Sequence, residues 1–189
     1  MSEIANIAEV GYRAQPSSLL SYSITAFHHD YERLRSGQPP PAFIENRISG
    51  PVYGVEGWAV LEPVRRLRLA GGFTALRKKL RVEAGSPDPT GPSALGNDPE
   101  RQWSLRSSLD LPGRHEVDGT VRHVGSLPEP AVPGYTVVDL RWGWRPVPRL
   151  EVSLAVRNLF AREHPEVGAS PGRSEVGRDA FVGVVWRSP

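Results

Sequence analysis

Apolar and polar residues alternate along most of the chain, and this period of two is typical of β-strands whose two faces meet different surroundings. The alternation is interrupted at intervals by turn-forming residues, mainly Gly, Pro and Ser. We therefore predict nine strands, over Asn6–Ala14, Leu19–His28, Val52–Glu62, Leu67–Leu76, Gln102–Leu111, Glu116–Val124, Thr136–Arg145, Leu150–Asn158 and Asp179–Trp186.

The two faces of these predicted strands differ in charge. The apolar face carries no Asp, Glu, Lys or Arg, whereas the opposite face carries a charge in every strand except the second. Such an apolar face either forms the core of a soluble β-protein or contacts lipid on the outside of a membrane barrel. For a barrel, we expect these residues to share the outer, exposed face of one sheet; they include Tyr12, Tyr22, Trp103, Val121, Leu140, Trp142, Leu154 and Val184, together with His123.

The lengths of the connections distinguish these two possibilities, because short and long connections strictly alternate. Tight turns are predicted at Gln15–Ser18, Pro63–Arg66, Pro112–Arg114 and Pro146–Arg149, and long links near Tyr31–Pro51, Arg77–Arg101, Gly125–Tyr135 and Leu159–Gly177. In an up-and-down sheet this pattern places all turns at one end and all loops at the other, as in outer-membrane barrels. We therefore expect an all-β fold, the wall of an up-and-down antiparallel transmembrane β-barrel of about nine strands.

Aromatic residues on the apolar face fall into two groups, as the two interfacial belts of a membrane barrel would require. One group lies near the predicted turns and the other near the predicted loops. The turn group is Tyr12, Tyr22, Trp144 and Trp186, and the loop group is Tyr53, Trp103 and Phe160.

Composition narrows the classes of function. The formal net charge of +2 comes without an extended basic run, so no nucleic-acid partner is expected, and the absence of Cys excludes disulfides and thiolate metal sites. The longest apolar run, Phe181–Trp186, is too short for a membrane-spanning helix. The N-terminus has no basic segment followed by an apolar one, so we expect no export signal within this chain.

Several short motifs occur in a characteristic order along the chain. They are Glu9-Val10-Gly11-Tyr12-Arg13, Ala26-Phe27-His28-His29-Asp30-Tyr31, Tyr53-Gly54-Val55-Glu56, Pro133-Gly134-Tyr135-Thr136-Val137-Val138-Asp139-Leu140, Arg157-Asn158-Leu159-Phe160, and the last strand from Gly177-Arg178 to Trp186. Together they resemble the C-terminal part of the β-barrel of TonB-dependent outer-membrane receptors. The chain departs from that pattern at Ala161 and His164, where the family often has Asp and Tyr, and at Arg187-Ser188-Pro189, which extend past the terminal aromatic residue.

The resemblance implies that the chain forms part of a large outer-membrane barrel of about 22 strands, whose lumen is plugged. It implies import of an iron chelate, cobalamin or a similar nutrient with energy from TonB, and no enzymatic activity. The partners it implies are outer-membrane lipid, a plug domain, the remaining barrel strands, and TonB through the plug alone. We find neither a plug nor a signal peptide in residues 1–189, which we expect to form a single partial barrel domain.

Clusters that could suggest a metal or catalytic site are explained by strand geometry. His28-His29-Asp30, His115-Glu116 and Glu163-His164 are runs of adjacent residues, whose side chains point to opposite faces of a strand. We therefore assign no catalytic, cofactor-binding or metal-binding residue.

Ligand contact in such receptors is expected mainly from loops, here Tyr31–Pro51 and Leu80–Glu100, and we assign no individual substrate-binding residue. The charges of the polar face are expected to line a wet lumen and to pair across strands. They are Glu9, Arg13, Glu56, Arg68, Arg106, Asp110, Arg122, Asp139, Arg141 and Arg157.

In an up-and-down sheet of nine strands, the first and the last strand run in the same direction. Closing this sheet into a barrel would require these two strands to pair in parallel, which single-chain bacterial barrels avoid. We therefore expect an open, partial barrel that does not transport on its own. A soluble β-rich binding module and a small self-contained porin remain the alternatives.

Overall fold

Nine long strands follow one another through the chain in a computed structural model that describes residues 2–37, 44–89, 91–95, 98–160 and 163–188. The connections contain five shorter strands and one 3-10 turn, Gly91–Ala94. In chain order the strands are β1 (Ile4–Ser17), β2 (Leu20–Ser36), β3 (Glu45–Val64), β4 (Leu67–Lys78), β5 (Arg81–Val82), β6 (Arg101–Leu111), β7 (His115–Val124), β8 (Leu127–Pro128), β9 (Ala131–Val132), β10 (Tyr135–Val147), β11 (Leu150–Arg157), β12 (Glu163–Pro165), β13 (Glu175–Gly177) and β14 (Asp179–Trp186).

The long strands form one antiparallel sheet in sequence order, β1-β2-β3-β4-β6-β7-β10-β11-β14. Each of the nine predicted strands corresponds to one of them, and the bounds of the last are those predicted. The up-and-down prediction is therefore confirmed. In the described part of the chain β1 pairs only with β2, and β14 only with β11, so the sheet is open, as expected.

The sheet has a turn end and a loop end. Every tight turn joins strands whose last paired residues lie at the same end, and Trp186 is opposite Leu150 there, so the last strand also finishes at the turn end. The sorting of connections by length is thus confirmed. The pairs that close the turns are Ser17 with Leu20, Val64 with Leu67, Leu111 with His115, and Val147 with Leu150.

The β2–β3 connection is much shorter than the predicted link Tyr31–Pro51. Pairing continues outward to Ser36 opposite Glu45, with register shifts on either side of Leu34, and Arg33 has a positive φ of 58°. These irregularities interrupt the alternation that the sequence pattern relied on, which is why the strand extensions were missed. The tip of the hairpin, residues 38–43, lies outside the described residues.

The apolar face of the sheet is exposed, as predicted, although Tyr22, Val121 and His123 on that face are only partly exposed. Trp142 stands opposite Val117 on one side and Leu154 on the other, so the apolar residues of neighbouring strands meet on a single face. Leu154 is 44% exposed and Val184 65%. Among the described residues the buried hydrophobic side chains are only Ile48, Val132 and Val137.

This exposure argues against the soluble alternative, because a soluble sheet of this size would bury one face against a second layer. In the described ranges the sheet pairs with no second long-stranded sheet that could cover it. No helix in those ranges is long and apolar enough to cross a membrane.

Asn158 ends strand β11 and was wrongly included in the predicted strand. It is almost fully buried and has a positive φ of 53°. Its backbone N–H donates to the Asp139 carboxylate at 2.9 Å, and its side-chain amide donates to the Val176 carbonyl at 3.1 Å. Asn tolerates this left-handed conformation better than most residues, so the chain leaves the sheet here. Phe160, which was predicted for the loop-end aromatic belt, therefore lies beyond the strand and is exposed.

The two faces can be tested by single-cysteine labelling, since the chain contains no Cys. Leu140→Cys and Leu154→Cys should place an attached fluorophore in the detergent belt of the refolded chain, because these residues share the exposed apolar face. We expect blue-shifted emission, quenched by a brominated detergent. Thr120→Cys and Ser153→Cys, on the opposite face of the sheet, serve as controls and should be quenched by iodide instead. Equal iodide quenching at all four positions would contradict the two-faced sheet.

The role of Asn158 can be tested by comparing Asn158→Ala with Asn158→Gly. Both variants lose the hydrogen bond to Val176, about 1 kcal/mol or more, whereas only Ala also has the cost of the left-handed conformation, another 1–2 kcal/mol or so. Amide hydrogen exchange around β12 and β13 should therefore accelerate roughly fivefold or more in the Gly variant, and further in the Ala variant. Unchanged exchange in both variants would show that Asn158 does not hold this connection.

Candidate functional site

The polar face of the sheet is the candidate functional surface, because it carries most of the charged residues of the strands. Antiparallel register places the ten predicted polar-face charges on this side, but they are not all paired as expected. Ion pairs are formed by Arg68, Arg122 and Arg141, and Glu9 is hydrogen-bonded to His29. The remaining six are without an ion pair in the described part of the chain: Arg13, Glu56, Arg106, Asp110, Asp139 and Arg157.

Near the turn end, six charged side chains form a network, five of them from strands β7, β10 and β11. The sixth is Arg187, which follows β14 and lies 3.7 Å from Glu151. Arg141 donates to Asp118 at 2.9 Å and to Glu151 at 2.6 Å, and Arg145 donates to Glu151 at 3.2 Å. Glu116 lies 3.5 Å from both arginines. The network spans β7, β10 and β11, so it links these three strands on the polar face near the turn end.

At the loop end, a cluster of Arg122, Tyr135, His164 and Glu166 joins the wall to the β11–β14 connection. Arg122 donates to Glu166 at 2.9 Å and to the Tyr135 hydroxyl at 3.2 Å. His164 is buried, stacks on the Tyr135 ring with centroids 4.3 Å apart, and lies 3.2 Å from Glu166.

The electrostatics of this loop-end cluster favour an ionised Glu166. Burial raises the pKa of the Glu166 carboxyl, but the hydrogen bonds with Arg122 and His164 outweigh it and hold that pKa below its usual range. The cluster therefore holds a long loop against the barrel wall by charge as well as by stacking. The sequence pattern missed Tyr135 and Glu166, because their partner residues come from distant segments.

The middle of the polar face carries a basic and aromatic patch, which we call the central patch. Trp58 projects to this face, on the same side as Glu56 and Glu62, and the Arg13 guanidinium lies 5.8 Å from its ring centroid. A concavity of about 430 Å³ occupies the region. Its lining includes Arg13, Ser23, Thr25, Glu56, Trp58, Thr74, Gln102, Ser104 and Arg122.

Trp58 was not singled out by the sequence analysis, although its even spacing from Glu56 and Glu62 was the available signal. Arg13 and Glu56 form no ion pair in the described ranges, and hydroxyl and amide groups surround them. The central patch can therefore offer an aromatic platform, free charges and hydrogen-bond donors to an oxygen-rich partner inside the lumen.

Packing on the polar face explains why Gly54, from the Tyr53-Gly54-Val55-Glu56 motif, has no side chain. A Cβ at this position would lie 2.8 Å from the Phe27 ring and would also meet the Ala75 carbonyl oxygen. The absence of a side chain lets the Phe27 ring lie over the strand.

The adjacent histidines separate onto the two faces, as argued from strand geometry. His29 bonds to Glu9 at 3.1 Å on the polar face, whereas His28 stacks on Tyr53 on the apolar face. His115 stacks on Trp142 and Trp144. No group of three or more His, Asp or Glu residues that could hold a metal ion occurs in the described residues.

The family is given by a sequence model described as TonB dependent receptor-like, beta-barrel, which matches residues 2–159. No curated protein matches the chain.

Solved structures show the same fold. The siderophore receptor PiuA from Acinetobacter baumannii superposes with a TM-score of 0.78 at 17% identity, over 96% of this chain and 28% of PiuA. The FrpB iron transporter from Neisseria meningitidis, F3-3 variant, superposes with a TM-score of 0.75 at 19% identity, over 97% of this chain and 30% of FrpB. The ferric-catecholate import receptor Fiu from E. coli K12 superposes with a TM-score of 0.71 at 21% identity, over 95% of this chain and 27% of Fiu.

The chain thus spans less than a third of each of these proteins, and at these identities the likeness concerns the fold. The match to the family extends over most of the sequence, from the first strand to the motif at Asn158. The relatives are transport receptors and not enzymes. This chain belongs to the TonB-dependent receptor β-barrel family.

Proposed function

We propose that residues 1–189 form one domain, a section of the wall of an outer-membrane transporter that imports an iron chelate, cobalamin or a similar nutrient. The single observation that carries the proposal is the two-faced sheet, with an exposed apolar face and an opposite face of ion pairs and free charges. A membrane barrel with a wet lumen requires this arrangement. The three structural relatives are an iron transporter, a siderophore receptor and a ferric-catecholate import receptor, which supports a metal chelate as the cargo class.

The wall itself has no catalytic role in this proposal. Its polar face would bound the lumen, and the central patch would face the plug domain or the passing cargo. Energy from TonB would reach the transporter through the plug, so the coupling depends on segments outside the nine strands described above.

The open edges argue that the wall needs further strands to work. Strands β1 and β14 each pair on one side only in the described chain, so each presents a row of unpaired N–H and C=O groups. Lipid cannot satisfy these groups, at a cost of several kcal/mol for each one. A self-contained porin of nine strands is disfavoured for the same reason.

Expression of residues 1–189 behind an added signal sequence tests this proposal. We expect most of the product to be degraded or to aggregate, with no heat-modifiable monomer in the outer-membrane fraction, because the two edges stay unpaired. Co-expression with the preceding plug and barrel strands of a structural relative such as PiuA should increase the heat-modifiable fraction. A stable, heat-modifiable monomer formed by the chain alone would contradict the need for further strands.

A matched pair of variants tests the wall during that co-expression. Phe73→Arg places a charge in the middle of the apolar face and should cost about 2–4 kcal/mol of membrane stability. Thr74→Arg places the same charge on the neighbouring polar-face position, opposite Glu56, and should be tolerated. Equal loss of the folded band in both variants would argue against a lipid-facing surface.

A further inference from the structure

The connection between β11 and β14 folds back over the polar face at the loop end of the sheet. Its strands β12 and β13 form a hairpin, and we call residues 163–177 the strap. Glu166, next to β12, accepts a hydrogen bond from Arg122 of β7 at 2.9 Å. Val137, which is opposite Arg122 on β10, is only 4% exposed. The strap therefore covers this part of the wall.

The wall residues that hold Glu166 have the chemistry of a carboxylate-binding site. Arg122 donates both to the Glu166 carboxylate and to the Tyr135 hydroxyl, at 2.9 and 3.2 Å. Hydrogen bonds from a guanidinium to a carboxylate are stronger than those between neutral groups. Both wall residues belong to the long strands, whereas Glu166 reaches them from the strap. Glu166 therefore occupies the position that the carboxylate of a ligand would take.

The contact between Arg122 and Glu166 is open to dissolved ions. The two side chains are 44% and 36% exposed, and ion pairs with such exposure stabilise only weakly. Arg122 also lines the concavity of the central patch, together with Arg13 and Glu56. Two guanidinium groups against one carboxylate favour an anion in that concavity. An anion there can compete with Glu166 for Arg122.

The closed position of the strap has a cost of its own. His164 is buried against the Tyr135 ring, and its Nδ1 has no hydrogen-bond partner in the described part of the chain. An unpaired buried polar atom destabilises the arrangement that buries it. At its base the strap is held by the hydrogen bond from Asn158 to Val176. Loss of the Arg122 contact would therefore free the strap at one end while its base stays attached.

We propose that Arg122 and Tyr135 form a binding site for a carboxylate group, which Glu166 fills as an internal ligand. A carboxylate-bearing solute in the lumen replaces Glu166 on Arg122, and the strap then leaves the wall. The proposal rests on the proposed function, because only a wet lumen brings dissolved anions to this face. The strands need not move, since Arg122 keeps its place on β7 and only its partner changes.

Amide hydrogen exchange of residues 1–189, refolded in detergent micelles, measures release of the strap. The probe is glutarate, whose end groups match the Glu166 side chain, and its diamide is the uncharged analogue. Glutarate at about 0.2 M exceeds the millimolar effective concentration of a flexibly tethered group. We expect glutarate to accelerate exchange in the strap roughly fivefold, the effect of losing one exposed ion pair. The diamide, and sodium chloride at equal ionic strength, should have no such effect.

Two variants open the contact from its two sides. Glu166→Gln removes the charge of the internal ligand, and Arg122→Gln removes its binding partner. In both variants the strap should exchange faster without any probe and should not respond further to glutarate. Arg106→Gln is the matched control, because Arg106 is a polar-face arginine of the adjacent strand β6 that lies outside this concavity. The control should respond to glutarate as the unmodified chain does.

The outcomes separate the carboxylate site from the membrane wall. Equal acceleration by glutarate and chloride, no acceleration by glutarate, or a full glutarate response in Arg122→Gln would overturn the carboxylate site alone. A chain that stays in aqueous solution and binds no detergent would instead overturn the membrane wall, and the proposed function with it.

Discussion

Pairing of backbone N–H and C=O groups between neighbouring strands is the interaction on which the rest of this structure depends. Each internal strand is hydrogen-bonded on both sides in antiparallel register, from the β1–β2 pair to the β11–β14 pair. In a hydrocarbon environment these ladders are obligatory, because no water is present to satisfy a free group. The order of the strands, the tight turns and the exposed edges of β1 and β14 all follow from this requirement.

The side chains are distributed around that ladder in a way that differs from an ordinary domain. Residues such as Trp103, Leu140 and Leu154 would form the core of a soluble protein, yet here they are more than 40% exposed. The polar face instead carries the specific contacts, among them the network around Arg141 and the cluster around Arg122. Lipid would replace the missing core, and the polar contacts would fix the strands and loops on the lumen side.

The family motifs have structural roles that connect the wall to its loops. Asp139 and Asn158, from two separate motifs, meet at the end of β11 and hold the connection that contains Val176. The first motif supplies Glu9 for His29 and Arg13 for Trp58. These residues shape the polar face and the connection that follows β11, which explains why each of them is polar.

The sequence by itself determined the nine strands, their two faces and the sorting of turns and loops, because period-two alternation records which side of a strand meets water. It did not determine the β2–β3 extension, where register shifts near Leu34 break the period. Nor did it reveal that Asn158 adopts a left-handed conformation, or that Tyr135, His164 and Glu166 meet. Only the tertiary structure decided these features, because each depends on contacts between residues far apart in the chain, which a local pattern does not encode.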